Sequence, residues 1–137
     1  MITQVLMAYD GSESADKAFE WSLDLAKKYG AALHVVAIVR PPDFAEDVES
    51  EAFIEDSRRH CESLLERLKS RAANGAAVKY SVLFGHPAEQ IVIQAERDGA
   101  QLIVIGHRGK GLFERLRVGS VSKQVLHDAH CAVLVVR

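Results

Sequence analysis

The chain has 137 residues, the size of one domain, and can bury about two-thirds of the surface its unfolded state exposes without help from a disulfide or a metal. Apolar residues make up 48% and charged residues 26%, with a formal net charge of −2, so no basic excess advertises nucleic acid or an anionic membrane. Cys61 and Cys131 are too few for a disulfide framework, no apolar run is long enough to span a bilayer, and residues 1–10 lack the length and flanks of a secretory signal, so the expectation is a reduced, cytoplasmic protein.

The elements alternate along the chain. Residues 2–9 are apolar and end at the turn signal Asp10-Gly11-Ser12, which predicts a strand. Ser12 or Ser14 can cap a helix that runs to about residue 29, with Ala15, Ala18, Phe19, Ser22, Leu25, Ala26 and Tyr29 on one face and Gly30 as its C-terminal cap. Residues 32–39 are nearly all apolar and read as a strand buried on both faces, stopped by Arg40-Pro41-Pro42. The acidic residues Asp43, Glu46, Asp47, Glu49 and Glu51 suit the start of a long helix, where negative charge opposes the helix dipole. That helix reaches about residue 73, buries Ile54, Cys61, Leu64, Leu65 and Leu68, and ends at Asn74-Gly75. Residues 78–84 form a third strand, closed by Gly85-His86-Pro87. Residues 88–98 form a helix with Ile91, Val92 and Ala95 inward, and residues 101–105 a fourth strand. Residues 106–119 are a loop with four glycines. Residues 120–129 form a helix with Val121, Val125 and Leu126 inward, and residues 131–136 a fifth strand.

Strands alternating with helices imply one α/β domain over residues 1–137, a doubly wound five-stranded parallel sheet with helices on both faces. In such sheets ligands bind at the carboxyl ends of the strands, where the strand order reverses. Two loops there carry unusual residues: Asp10-Gly11-Ser12, and Gly106-His107-Arg108-Gly109-Lys110-Gly111 with its exit Gly119-Ser120. If both serve one ligand, strands 1 and 4 are neighbours and the order is 3-2-1-4-5. Gly106 and Gly109 permit positive φ and a close approach to an anion, and successive N–H groups can form a concave donor surface. Gly119 precedes a helix whose first N–H groups, at Ser120, Val121 and Ser122, face an anion favoured by the dipole, with the hydroxyls of Ser120 and Ser122 as further donors. These features describe a phosphate site. The segment matches neither G-x-G-x-x-G nor the P-loop.

Gly106, Gly109 and Gly119-Ser120, with two and then nine residues between the glycines, resemble the spaced nucleotide-binding motif of the universal stress protein family and match it completely. In this, and in residues 5–12, the Gly85-His86-Pro87 turn and the ending Val133-Leu134-Val135-Val136, the chain resembles the universal stress protein family over nearly its whole length. The resemblance implies a fold of the adenine nucleotide alpha hydrolase-like type and ATP as ligand, with Mg²⁺ as its companion. It implies that Ala8 and Asp10 lie against the nucleoside and that Ile38 packs on the adenine. It implies that Gly106, His107, Arg108 and Gly109 wrap the phosphates while Gly119, Ser120, Val121 and Ser122 close the site. His107 and Arg108 stand where small or polar residues are common in the family. Arg108 either adds a charge-assisted bond to phosphate or points to solvent. The resemblance also implies a homodimer joined through the last strand, which would cover an otherwise open sheet edge.

Other residues have plainer readings. His127, Asp128, His130 and Cys131 lack zinc-like spacing and sit at a helix end, where cations are favoured. His34, inside a strand, reads as a packed, hydrogen-bonded histidine. No G-x-S-x-G nucleophile elbow is present, and strand 3 ends in Phe84-Gly85 rather than the aspartate a phosphoacceptor receiver needs. The resemblance thus implies nucleotide-dependent regulation in a stress response, and with no residue placed as a general base any ATP hydrolysis is expected to be slow. Two alternatives stay open: an ATPase or transferase using Asp10 or His107, and a dimeric interaction module that ignores nucleotides.

Overall fold

The computed structural model of the protein describes residues 1–42, 48–72, 77–107 and 119–137. Its elements are β1 (Gln4–Ala8), α1 (Glu13–Tyr29), β2 (Ala32–Val39), α2 (Val48–Arg71), β3 (Val78–Phe84), α3 (Pro87–Asp98), β4 (Leu102–Gly106), α4 (Ser120–Asp128) and β5 (Ala132–Val136). The five strands form one parallel sheet in the order β3-β2-β1-β4-β5, as the two-loop argument requires. β3 and β5 are its edges. The acidic residues 43–47 and the turn Asn74-Gly75 lie outside the described residues.

Alternation along each strand divides the core into two layers. Val5, Met7, Leu33, Val35, Ala37, Val39, Leu102 and Val104 face Ala15, Phe19, Leu64 and Leu68 of α1 and α2. Leu6, Val36, Ile103 and Ile105 face Ile91 and Ala95 of α3 and Val125 of α4. Both faces of β1, β2 and β4 are covered, so these strands read as continuous apolar runs instead of alternating ones.

The helix ends follow local chemistry. Ser12, not Ser14, caps α1, its Oγ accepting the Ala15 N–H at 3.2 Å. Gly30 closes α1 in the left-handed conformation, φ 64°, which costs glycine nothing. Tyr29 was expected inward but is 53% exposed. After the Gly30 reversal the buried place beneath the last turn goes to Ala31, whose N–H bonds the Ala26 carbonyl at 2.9 Å. Leu126 likewise points out, 49% exposed. Its neighbour Val125 takes the inward direction, and consecutive helical residues diverge by about 100°.

His34 is buried and hydrogen-bonded through both ring nitrogens, as its place in a strand suggested. Beneath α1, the Tyr9 hydroxyl donates to Asp16 Oδ1 at 2.6 Å, and Arg71 of α2 reaches the same carboxylate at 3.2 Å. Burial, reinforced by the Asp16 carboxylate, pushes the Tyr9 phenol up to about 12. No helix among the described residues is long and apolar enough to cross a membrane.

Candidate functional site

β1 and β4 lie side by side, while the chain leaves β1 toward β2 on one side and leaves β4 toward β5 on the other. A cavity of about 340 Å³ opens over their carboxyl ends. Ala8 and Asp10 border it from β1, Ile38 from β2, Gly106 from β4, and Gly119, Ser120, Val121 and Ser122 from the start of α4. Eight residues expected at a site from sequence are thus gathered around one space. His107 is buried beside Gly106 but is not among the lining residues. Arg108 and Gly109 lie outside the described residues.

Each wall is set by a local device. Asp10 Oδ1 accepts the Ser12 N–H at 2.9 Å, and Gly11 takes φ 81° to close that turn. The turn fixes the Asp10 carboxylate at the cavity rim. With Ser12 capping it, α1 already supplies an acceptor for an N–H of its own first turn. α4 differs. Its cap, Gly119, has no side chain to lend, its first turn contains no acid, and its backbone there is extended at φ −62° and ψ 159°. The first N–H groups of a helix have no intrahelical acceptor, so α4 presents donors and a positive dipole end to the cavity.

Two expectations about the glycine loop need correction. Gly106 does not take a positive φ; among the described glycines Gly11, Gly30, Gly85 and Gly99 do. Its requirement is close packing: a β-carbon there would come within 2.5 Å of Ser14 Oγ and 2.8 Å of the Ala15 nitrogen. The α1 backbone crosses too near for any side chain. The Ser122 hydroxyl is not a spare donor, because it is buried and bonds the Gly106 carbonyl at 2.8 Å. The Gly119 N–H is also committed, to the His107 carbonyl at 2.6 Å, while the His107 N–H bonds the Val136 carbonyl at 2.8 Å. Residues 107 and 119 are thereby tied together at the base of the loop. Ser120 is exposed at the rim of the cavity.

The model of the universal stress protein family matches residues 1–137. The chain belongs to this family. A putative universal stress protein of Staphylococcus epidermidis is 36% identical over 137 residues, covering 97% of this chain and 82% of the relative. One from Thermus aquaticus is 36% identical over 141 residues, with both chains fully covered. Among solved structures, UspA from Lactobacillus plantarum superposes with a TM-score of 0.90 at 25% identity, over 99% of this chain and 98% of that one. A universal stress protein solved in complex with cAMP shares the fold, with a TM-score of 0.77 at 23% identity over 99% and 97% of the two chains.

Sequence reasoning missed part of the cavity of this universal stress protein. His60, Cys61 and Leu64 of α2 line it, as do Pro87 and Ile91 at the start of α3. Cys61, Leu64 and Ile91 carry the periodicity of core residues and are buried, so nothing in the pattern separates a residue that touches the sheet from one that also borders an opening above it. His60, exposed beside that stripe, carries no signal of its own. Burial pushes the Cys61 thiol up, which keeps it neutral and makes its wall of the cavity apolar. Among the described residues the cavity therefore pairs an apolar side, from Ile38, Cys61, Leu64 and Ile91, with a donor-rich end at α4 and one carboxylate, Asp10. His127 Nδ1 pairs with Asp128 at 2.7 Å and His130 Nδ1 with Glu96 at 3.3 Å, both on the surface.

Proposed function

We propose that the protein binds ATP in this cavity and acts as a nucleotide-dependent regulator. The observation that carries the reading is the α4 start: a helix without a capping side chain, opening on a cavity at the reversal point of the sheet. Its N–H groups suit the phosphates. Asp10, an acceptor, suits the ribose hydroxyls. Ile38 and the apolar wall suit a flat base. The family relative solved with cAMP carries an adenine nucleotide on the same fold, which supports this ligand class. The backbone N–H groups of Ser120, Val121 and Ser122 would hold the phosphates, with Gly106 and Gly119 leaving room for them and Arg108 and Gly109 completing the grip, while His107 would act from behind the wall by anchoring Gly119. A Mg²⁺ ion would accompany the phosphates and offset their charge.

Regulation follows if the bound nucleotide favours one conformation that a partner reads. Asp10, the carboxylate among the described lining residues, has one oxygen engaged by the Ser12 N–H, and we assign it to holding the nucleoside rather than to activating water. Hydrolysis is accordingly slow or absent. Pairing of β5 with its copy in a homodimer would cover the half-exposed Val133, Leu134 and Val135. We place the protein in the cytoplasm, where its nucleotide is abundant.

The test is isothermal titration with ATP, ADP and AMP against the wild type and Gly119→Val. Valine tolerates the extended backbone at 119, so circular dichroism should be unchanged while its branched side chain crowds the phosphate end. Loss of ATP binding is expected; equal affinity in both proteins would refute the site.

A further inference from the structure

The cavity proposed for the nucleotide continues past Ile38. A second cavity, of about 380 Å³, adjoins it, and Ile38, His60 and Cys61 line both. Val39 and Arg40 carry the second cavity beyond the end of β2, while Phe53, Asp56 and Ser57 border it from α2. On α2, Phe53, Ser57, His60, Cys61 and Leu64 fall at i, i+4, i+7, i+8 and i+11, which is one face of a helix. One stripe of α2 therefore walls both cavities. It is buried at Leu64 and Cys61 and opens toward the start of the helix, where His60 and Phe53 are exposed. From Cys61 to Phe53 the helix advances about 12 Å, which leaves room for a further ring beyond a base that rests at Cys61.

The strand order gives the site a direction. Gly106 ends β4, Asp10 follows β1 and Ile38 belongs to β2, and β4, β1 and β2 are successive neighbours in the sheet. Under the reading of ATP in this cavity, on which this inference rests, phosphates, ribose and base lie over those strands in that order. Adenine is joined to ribose through N9 of its five-membered ring. Its exocyclic amine is on C6, across the purine from that bond. A base laid over Ile38 from a ribose at Asp10 therefore turns its amine edge away from β1, toward Arg40 and the second cavity. The walls there suit a ring. Phe53 is a large apolar side chain that the fold leaves 54% exposed. Ile38 and Val39 add apolar surface, and Arg40, Asp56 and Ser57 add a few polar groups, the mixture found in small-molecule sites. An adenine with only hydrogens on its amine has nothing to place among them.

We propose that the protein binds adenine nucleotides whose exocyclic amine carries an apolar or aromatic group, and that this group occupies the second cavity against Phe53. The unmodified nucleotide fills the first cavity alone. His60 and Cys61, shared by the two cavities, flank the passage through which the substituent leaves the base. Contact between the substituent and the Phe53 ring adds affinity that plain ATP does not obtain.

The test is isothermal titration of the full-length protein with ATP and with N6-benzyl-ATP, in wild type, Phe53→Ala and Ser57→Trp. Neither Phe53 nor Ser57 lines the first cavity, so ATP should bind all three proteins equally. Wild type should bind N6-benzyl-ATP about 3–10-fold more tightly than ATP. Phe53→Ala should lose that gain. Ser57→Trp, which fills the second cavity, should weaken N6-benzyl-ATP by about tenfold or more. Circular dichroism checks that both variants fold. N6-benzyl-ATP that binds wild type no more tightly than ATP, or a gain that survives both substitutions, would overturn the proposal. Rejection of N6-benzyl-ATP by a protein that still binds ATP strikes the second cavity alone, whereas failure of both ligands strikes the nucleotide reading as well.

Discussion

Replacing Ser120 with glutamate separates the stability of α4 from its capacity to hold an anion. Ser120 is the first residue of α4 and is exposed at the cavity rim. A carboxylate there opposes the helix dipole and should stabilise the folded protein by about 0.3–1 kcal/mol. The same carboxylate confronts the proposed polyphosphate. At about 6 Å, with an effective dielectric near 40 for a half-solvated rim, one pair of like charges costs roughly 1.4 kcal/mol. Two phosphate charges within that range cost close to 3 kcal/mol, or about a hundredfold in Kd. The two effects have opposite signs, so a loss of binding cannot be ascribed to a damaged fold. The assay is calorimetric titration with ATP and AMP beside a thermal melt, with Ser120→Gln as the neutral control. ATP should weaken by about two orders of magnitude, AMP by less, and the difference should shrink in high salt. A Ser120→Glu protein that melts no lower than wild type and binds ATP equally well would show that no phosphate lies at the α4 start.

Three further outcomes are expected. Ile38→Glu, at the base end, should weaken ATP and AMP by the same factor, tenfold or more (about 1.4 kcal/mol), because the altered contact lies far from the phosphates; titration with both ligands checks this. Gly106→Ala should destabilise the protein by about 1–3 kcal/mol in urea unfolding, since the new β-carbon meets the α1 backbone, which cannot turn aside as a side chain could. The Tyr9 phenol is raised from 10.0 to about 12, so its contribution to stability is intact below pH 10, where neither folded nor unfolded state ionises, and erodes as pH climbs from 10 through 12. Unfolding measured over that range in wild type and Tyr9→Phe should show a steeper decline in the wild type, and parallel curves would contradict it.

The sequence exposes most of the architecture and about half of the site's logic. β2 is legible to the residue because a continuous apolar run meets two prolines, and α3 to within one residue because the Gly85-His86-Pro87 turn precedes it. The strand order is legible because two loops with unusual residues make sense only as neighbours. What escapes is information carried by distance across the fold. Gly106 is a glycine because of where α1 crosses it, a fact no local spacing encodes. Ser122 has the right chemistry for a phosphate donor, but its hydroxyl serves the Gly106 carbonyl, sixteen positions earlier in the chain. His60, Cys61 and Leu64 join the cavity only because α2 passes above the end of β2. Tyr29 and Leu126 fit the apolar stripes of their helices and still face outward, since a periodicity marks a direction and says nothing of where the helix outruns its support.

The hydrogen bonds through His107 form a short relay. Val136, on the edge strand, grips the amide of His107, and the carbonyl of the same residue grips the amide that begins α4. The sheet's margin and the mouth of the cavity are therefore joined through the backbone of one residue, with no side chain in between. A substitution at the end of β5 that shifts the Val136 carbonyl bears on the placement of the α4 start as well as on the sheet edge.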